Sequence, residues 1–359
     1  MKKVFDHAIC FFRRFFKKKS SKKKSNHWST KMSANIDTVA NEIEKDIFDI
    51  ADSKRNLDKL KSTFIGSNFV SFIGGGTSQL TGIPPWENLV GKLCALANIK
   101  FDKESDDLPK KASEAKLSLK NEGKLDSYYK CLQSEMEGVQ TKGTEFHRMV
   151  VDRFDKYITT NFDLKVYNYY NSREKSSEHQ SIPNLDFKKF QNGDQPFVFL
   201  HGCIGAEFKC IIFEEEIYNH YYPNVSNEWG SPEIERFLEK VCRSFSLVFF
   251  GSSFSDKYLS QTFRNIFKTL KVDKRSDIKL NEHFLIIDQT ALKINNLDLL
   301  DQMQNTDGTN RIMVDRIKAQ VCNWFDEFQN MNIYPIIYRK NAHRFTENVL
   351  SSISNMRKG

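Results

Sequence analysis

The chain has 359 residues, 39% apolar and 28% charged, enough for one large core and the composition of a soluble globular body; no apolar run reaches the roughly 18 residues that a membrane span requires. The net charge of +8 is unevenly placed: residues 1–31 hold eleven Lys/Arg against Asp6 alone, so the rest of the chain stands near −2 and the basic balance describes a tail, not a nucleic-acid groove in the body. Seven irregularly spaced cysteines without a C-x-x-C pair argue against a disulfide framework or a zinc ribbon and point to a reducing, cytoplasmic compartment.

The tail, residues 1–35, interleaves Phe5, Phe11, Phe12, Phe15 and Phe16 with lysine and arginine. It fits either a solvated, disordered extension or a basic amphipathic helix that touches an anionic membrane surface or nucleic acid. Arg13 and Arg14 interrupt its apolar stretch, which argues against a signal peptide. Residues 36–359 are expected to form one catalytic domain. Ile36, Val39, Ile43, Ile47, Ile50, Leu57 and Leu60 recur at helical spacing and predict one or two helices. They lead into a strand at "FVSFIG" (69–74), a glycine turn and a helix at "PWENLVGKLCALANI" (85–99). Residues about 102–150 are Lys/Glu/Ser-rich with helical periodicity, and predict a helical insertion. Strands are predicted again at "KYITTNF", "PFVFLHG", "SLVFFGS", "HFLIID" and "IYPIIYR", and "EFKCIIFEEEIY" reads as a short strand and then a helix. The stretch "KVDKRSDIKLNE" reads as a surface loop. Short, continuously apolar strands alternating with helices predict an α/β fold with a mostly parallel sheet covered on both faces.

In such a sheet, ligands sit beyond the C-terminal strand ends, and five of these strands end in small or polar residues. Gly74, Gly75 and Gly76 follow the first strand; they form either a phosphate cradle or an ordinary tight turn. Gln79 stands where the third glycine of G-x-G-x-x-G belongs, and no Gly-Lys-Ser/Thr follows. Asn161 and Asp163 end the second strand. Asn161 suits a sugar hydroxyl, an amide or a water, or else caps the next helix. His201 ends "FVFLH" and is either a proton acceptor or a structural imidazole. Gly251, Ser252 and Ser253 lead to Asp256 at an expected helix start, which suits a ribose or phosphate contact or an N-cap turn. Asp288 closes "HFLIID" and either holds ribose hydroxyls or is a solvated turn residue.

Taken in order, "GGGTSQLTGIPPW", "TTNFD", "FLHG" and "GSSFSD" resemble the sirtuin-like family, and its bacterial antiphage branch more closely than the protein deacylases, over Phe69 to Tyr338. The resemblance implies a Rossmann-like fold with NAD as substrate. It implies that Gly74, Gly76 and Ser78 belong to the nucleotide-phosphate loop, that Asn161 positions the nicotinamide ribose and a water, and that Asp163 lies near the carboxamide. It further implies that His201 is the catalytic histidine, that Gly251, Ser252 and Ser253 touch the cofactor, and that Asp288 falls near the adenosine. Pro85-Trp86-Glu87 stands where deacylases carry Asp-Phe-Arg, and helical sequence replaces their four-cysteine zinc module, so no zinc is expected. The implied reaction is hydrolysis of NAD to nicotinamide and ADP-ribose in the infected cell. The alternatives are a non-catalytic module that binds NAD or ADP-ribose, and a deacylase. Because the chain ends soon after "NAHRFTENVLSSISNMRKG", a trigger in trans is expected: a partner protein, a phage component or a homo-oligomer that assembles.

Overall fold

Alternate residues of the predicted strands go to opposite faces of one seven-stranded sheet. The protein is represented by a computed structural model, which describes residues 52–64, 69–102, 105–137, 144–174, 178–204, 213–226, 230–252, 254, 256–272, 281–288, 319, 322–338 and 343–357. The expectations for the tail, for the helical spacing before residue 52, for the strand half of "EFKCIIFEEEIY" and for most of the 271–282 loop lie outside those residues.

The strands are β1 (Phe69–Ile73), β2 (Tyr157–Thr159), β3 (Gln180–Ser181), β4 (Phe197–Phe199), β5 (Ser246–Phe250), β6 (His283–Asp288) and β7 (Ile333–Tyr338). Their order is β3-β4-β2-β1-β5-β6-β7 and every neighbouring pair is parallel. Six of them lie where the apolar runs predict strands. β3 was not predicted: it is a two-residue edge strand, and Gln180 and Ser181 carry no apolar signal. Pro335 sits within β7, at the sheet edge, where a missing N–H is tolerated.

The helices are α1 (Ser53–Phe64), α2 (Trp86–Leu96), α3 (Leu108–Asn121), α4 (Leu125–Glu137), α5 (Glu145–Arg153), α6 (Lys165–Glu174), α7 (Phe187–Asn192), α8 (Glu215–Tyr221), α9 (Pro223–Ser226), α10 (Glu233–Ser244), α11 (Lys257–Val272) and α12 (His343–Arg357). A further helical stretch covers 322–330. The strand period of two sorts the core. Val70, Phe72, Leu247, Phe249, Leu285 and Ile287 meet α10, α11 and the 322–330 stretch. Phe69, Ile73, Val248, Phe250, Phe284 and Ile286 meet α1, α5, α6 and α12. The fold is thus α/β and Rossmann-like.

Within the predicted helical insertion, α3 and α4 pack with α2 around Leu93, Ala112, Ala115, Leu119 and Tyr128, whereas α5 puts Phe146, Met149 and Val150 under the main sheet. This third core also takes Ile204 and Phe213 from the region after β4. The small helical layer therefore sits at the C-terminal side of the sheet. From β1 the chain first builds towards β2, β4 and β3, and then returns to add β5, β6 and β7 on the other side. The reversal falls between β1 and β5, the place in an open parallel sheet where a crevice forms.

Candidate active site

β1 and β5 end in register, Ile73 opposite Phe250, so the turns that follow them meet. Gly74 N donates to Phe250 O at 2.8 Å and Gly76 N to Gly251 O at 2.9 Å. A Cβ on Gly74 would lie 2.8 Å from the Gly251 oxygen, and one on Gly76 2.9 Å from it. Gly251 has φ +61°, and a Cβ there would lie 2.6 Å from Thr77 N. These glycines are therefore required where two backbones touch. Gly75 differs: a Cβ there would meet nothing within 4 Å. The chain then turns as a 3₁₀ helix over Gly75–Thr81, closed by Gly82 in the left-handed region. Gly76→Ala is expected to destabilise by about 1–3 kcal/mol through overpacking and Gly75→Ala by less than about 0.5 kcal/mol, as read by denaturant unfolding.

The second strand end is bound to this turn. Thr159 Oγ1 donates to Ile73 O at 3.0 Å and accepts from Asn161 N at 3.0 Å. Asn161 Nδ2 donates to Ser78 Oγ at 2.7 Å and to Thr77 Oγ1 at 3.3 Å. Those hydroxyls spend their own hydrogens elsewhere, Thr77 on Gly74 O at 2.9 Å and Ser78 on Asp163 Oδ2 at 2.6 Å. Only the amide orientation with NH₂ towards them satisfies both. Asn161 Oδ1 is left buried without a partner. Asp163 Oδ1 accepts from Lys165 N at 3.0 Å, so the cap of the next helix is Asp163, not Asn161.

β2 and β4 are paired at Thr159 and Phe199, so Asn161 and His201 stand two residues beyond one register pair on adjacent strands. Leu200 N donates to Thr159 O and Ile204 N to Phe162 O, both at 2.8 Å, which laces the two strand ends together. His201 is 3% exposed. Its Nε2 lies 2.6 Å from the Tyr222 hydroxyl, and its ring stands edge-on to Tyr218 and Tyr222. Tyr218 Oη donates to Asp256 Oδ2 at 3.0 Å, while Asp256 Oδ1 accepts from Tyr258 N and Leu259 N and caps α11. Burial pushes the His201 pKa below its ordinary value, with the Asp256 carboxylate opposing. The imidazole is therefore neutral at pH 7.

The fold thus gathers Gly74, Gly75, Gly76, Ser78, Asn161, Asp163, His201, Gly251 and Ser252 at one edge of the sheet. Asp288 closes β6 at the same edge, in register with Tyr338, two strands from β1. Ser253 lies outside the described residues. Thr77, Thr159 and Tyr222 were not singled out from the sequence. The two threonines stand inside the motifs already quoted; Tyr222 stands in "IYNHYYP", which carries no signal of its own. A cavity of about 1040 Å³ opens farther along the edge, lined by residues that include His179, Cys203, Ile204 and Lys240 but not Asn161 or His201. Burial pushes the Cys203 thiol up to about 11, so it stays protonated beside His179.

A buried amide oxygen without a partner costs about 1–3 kcal/mol, and a sugar hydroxyl or a water would answer Asn161 Oδ1. Among the described residues no group of three or more His, Cys, Asp or Glu is placed to hold a metal ion, and no helix is long and apolar enough to cross a membrane. No curated protein matches the sequence. A family model described as a SIR2-like domain matches residues 155–306, which contain Asn161, Asp163, His201, the 251–253 turn and Asp288 but not the triple-glycine turn. SIR2-like domains bind NAD and are usually NAD-dependent enzymes, and residues 155–306 of this chain are similar to such a domain.

Proposed function

We propose that the chain hydrolyses NAD to nicotinamide and ADP-ribose and serves as an antiphage effector that depletes the NAD of the infected cell. The observation that carries this reading is the buried, unpartnered Asn161 Oδ1, held by the hydroxyls of the glycine turn and standing level with His201 on the adjacent strand end.

Nicotinamide leaves as a neutral ring, so the protein need not protonate it. The site must instead hold the ribose, keep bulk water out and admit one water to the anomeric carbon. Asn161 Oδ1 receives a hydrogen from that water or from a ribose hydroxyl. Neutral His201 takes the proton released, a form of assistance worth roughly 10²–10⁴-fold. The open Gly75 and the neighbouring Ser252 receive the diphosphate, and Asp288 is assigned to the adenosine side.

Purified protein is incubated with NAD, alone and with candidate partners or phage lysate, and nicotinamide is followed by chromatography. Release of nicotinamide and ADP-ribose in equal amounts is the expected result. Saturable NAD binding without nicotinamide under every condition overturns the reading in favour of a binding module.

A further inference from the structure

His201 is held by a residue that the four motifs do not contain. α8 carries Tyr218, and Tyr222 follows one turn later on the same face; their rings are near-parallel with centroids 5.9 Å apart. Both are 2% exposed. Tyr258 from α11 closes against both rings, and Trp86 stacks on Tyr218 at 5.8 Å. The start of α8 is braced on the helical layer. Glu214, itself buried, accepts from Tyr128 Oη at 2.9 Å and from Lys116 Nζ at 3.0 Å, while Glu215 N donates to Ser113 Oγ at 2.9 Å. Tyr222 therefore stands on an element fixed at its N-terminus by α3 and α4, and the loop that carries His201 is fixed by the strand ends.

An imidazole at a strand end presents two unlike nitrogens. Which of them carries the hydrogen is set by what the other one bonds. Among the described residues, the Tyr222 hydroxyl is the hydrogen-bond partner of this ring, and it takes Nε2 at 2.6 Å. Resting on the NAD-hydrolase reading above, we propose that Tyr222 is the positioning residue of His201: its oxygen accepts the Nε2 hydrogen, which leaves Nδ1 as the nitrogen that takes a proton from a ribose hydroxyl or the attacking water. The phenol stays protonated because burial raises its pKa well above the ordinary value. It holds the ring without adding a charge to the site.

Tyr222→Phe keeps the ring that packs edge-on against His201 and removes only the oxygen. The expected result is a fall in kcat of about tenfold, the worth of one neutral hydrogen bond, with KM unchanged and a modest fall in melting temperature, because the buried Nε2–H loses its acceptor. Histidine-selective ¹⁵N NMR, with the His201 signals assigned by their loss in His201→Gln, is expected to show a single Nε2–H tautomer in the wild type and a mixture in Tyr222→Phe. An unchanged kcat, a raised kcat (which would make the hydroxyl a restraint), or a wild-type Nε2 without a hydrogen overturns the proposal. A wild type that hydrolyses no NAD removes the functional reading instead, and the NMR comparison still decides whether Tyr222 holds the ring.

Discussion

Asn161→Ala is expected to give a folded protein that releases nicotinamide about 10²–10⁴-fold more slowly than the wild type, the range lost when a positioned polar group is removed from the reacting atoms. The fold survives because of how the hydrogens are distributed. Thr77 and Ser78 donate to Gly74 O and Asp163 Oδ2 with or without the amide, and Asn161 Oδ1 has no partner to orphan. The stability cost is therefore about 1 kcal/mol, the net worth of the Nδ2 bonds. Asn161→Asp should behave differently. It places a carboxylate against Ser78 Oγ, 2.7 Å away, whose single hydrogen already goes to Asp163. Two carboxylates then share one hydroxyl, so this variant loses stability as well as activity, and more of it at pH 7 than at pH 5. Nicotinamide release and urea unfolding on both variants separate the two effects. An alanine variant with the wild-type rate removes Asn161 from the chemistry.

What the sequence disclosed about this site follows from the range of the interactions involved. Strands buried on both faces need continuous apolar runs, so β1, β5 and β6 were legible; β3, two polar residues at an edge, was not. The triple glycine was legible as a place where backbone must come close to something. What it approaches is Gly251, a contact created by the sheet order and far off along the chain. Asn161 was legible as a strand-end polar residue, but its bonds to Thr77 and Ser78 exist only because β2 lies beside β1. His201 was legible from its place after an apolar strand. Tyr222 was not, because the docking of α8 against the strand ends, and no local pattern, makes it a neighbour of the imidazole. Asn161 was offered by the sequence as a cap for the next helix; the hydrogen-bond geometry gives that role to Asp163, two residues farther on.

Lowering the pH from 7 to 5 is expected to remove about 4 kcal/mol of unfolding free energy through two buried histidines outside the site, by proton linkage. His283 is 1% exposed and its Nδ1 accepts the Leu247 N–H at 3.1 Å; burial holds its pKa near 3. His147 is fully buried and its Nδ1 accepts the Thr144 N–H at 3.0 Å. Its pKa is pushed down to about 4, burial outweighing the nearby Asp163 carboxylate. Each ring is thus locked as the Nε2–H tautomer, and protonating Nδ1 would evict a backbone N–H. In the unfolded chain both titrate near 6.5, roughly the ordinary histidine value. Above that pH both states are neutral and neither group contributes. As the pH falls below it, the unfolded chain binds protons that the folded protein refuses, at about 1.4 kcal/mol per pH unit for each histidine. The loss continues until the folded pKa is reached, near 4 for His147 and near 3 for His283. His201, also depressed, acts in the same direction. Measuring urea unfolding at pH 7, 6 and 5 keeps the window above the main carboxylate titrations. His283→Asn, which retains an acceptor for Leu247 N without a titrating ring, should remove about half of the slope from these two groups. A wild-type stability that stays flat from pH 7 to pH 5 would mean that these rings accept protons in place, and that the backbone N–H groups they hold are free to leave.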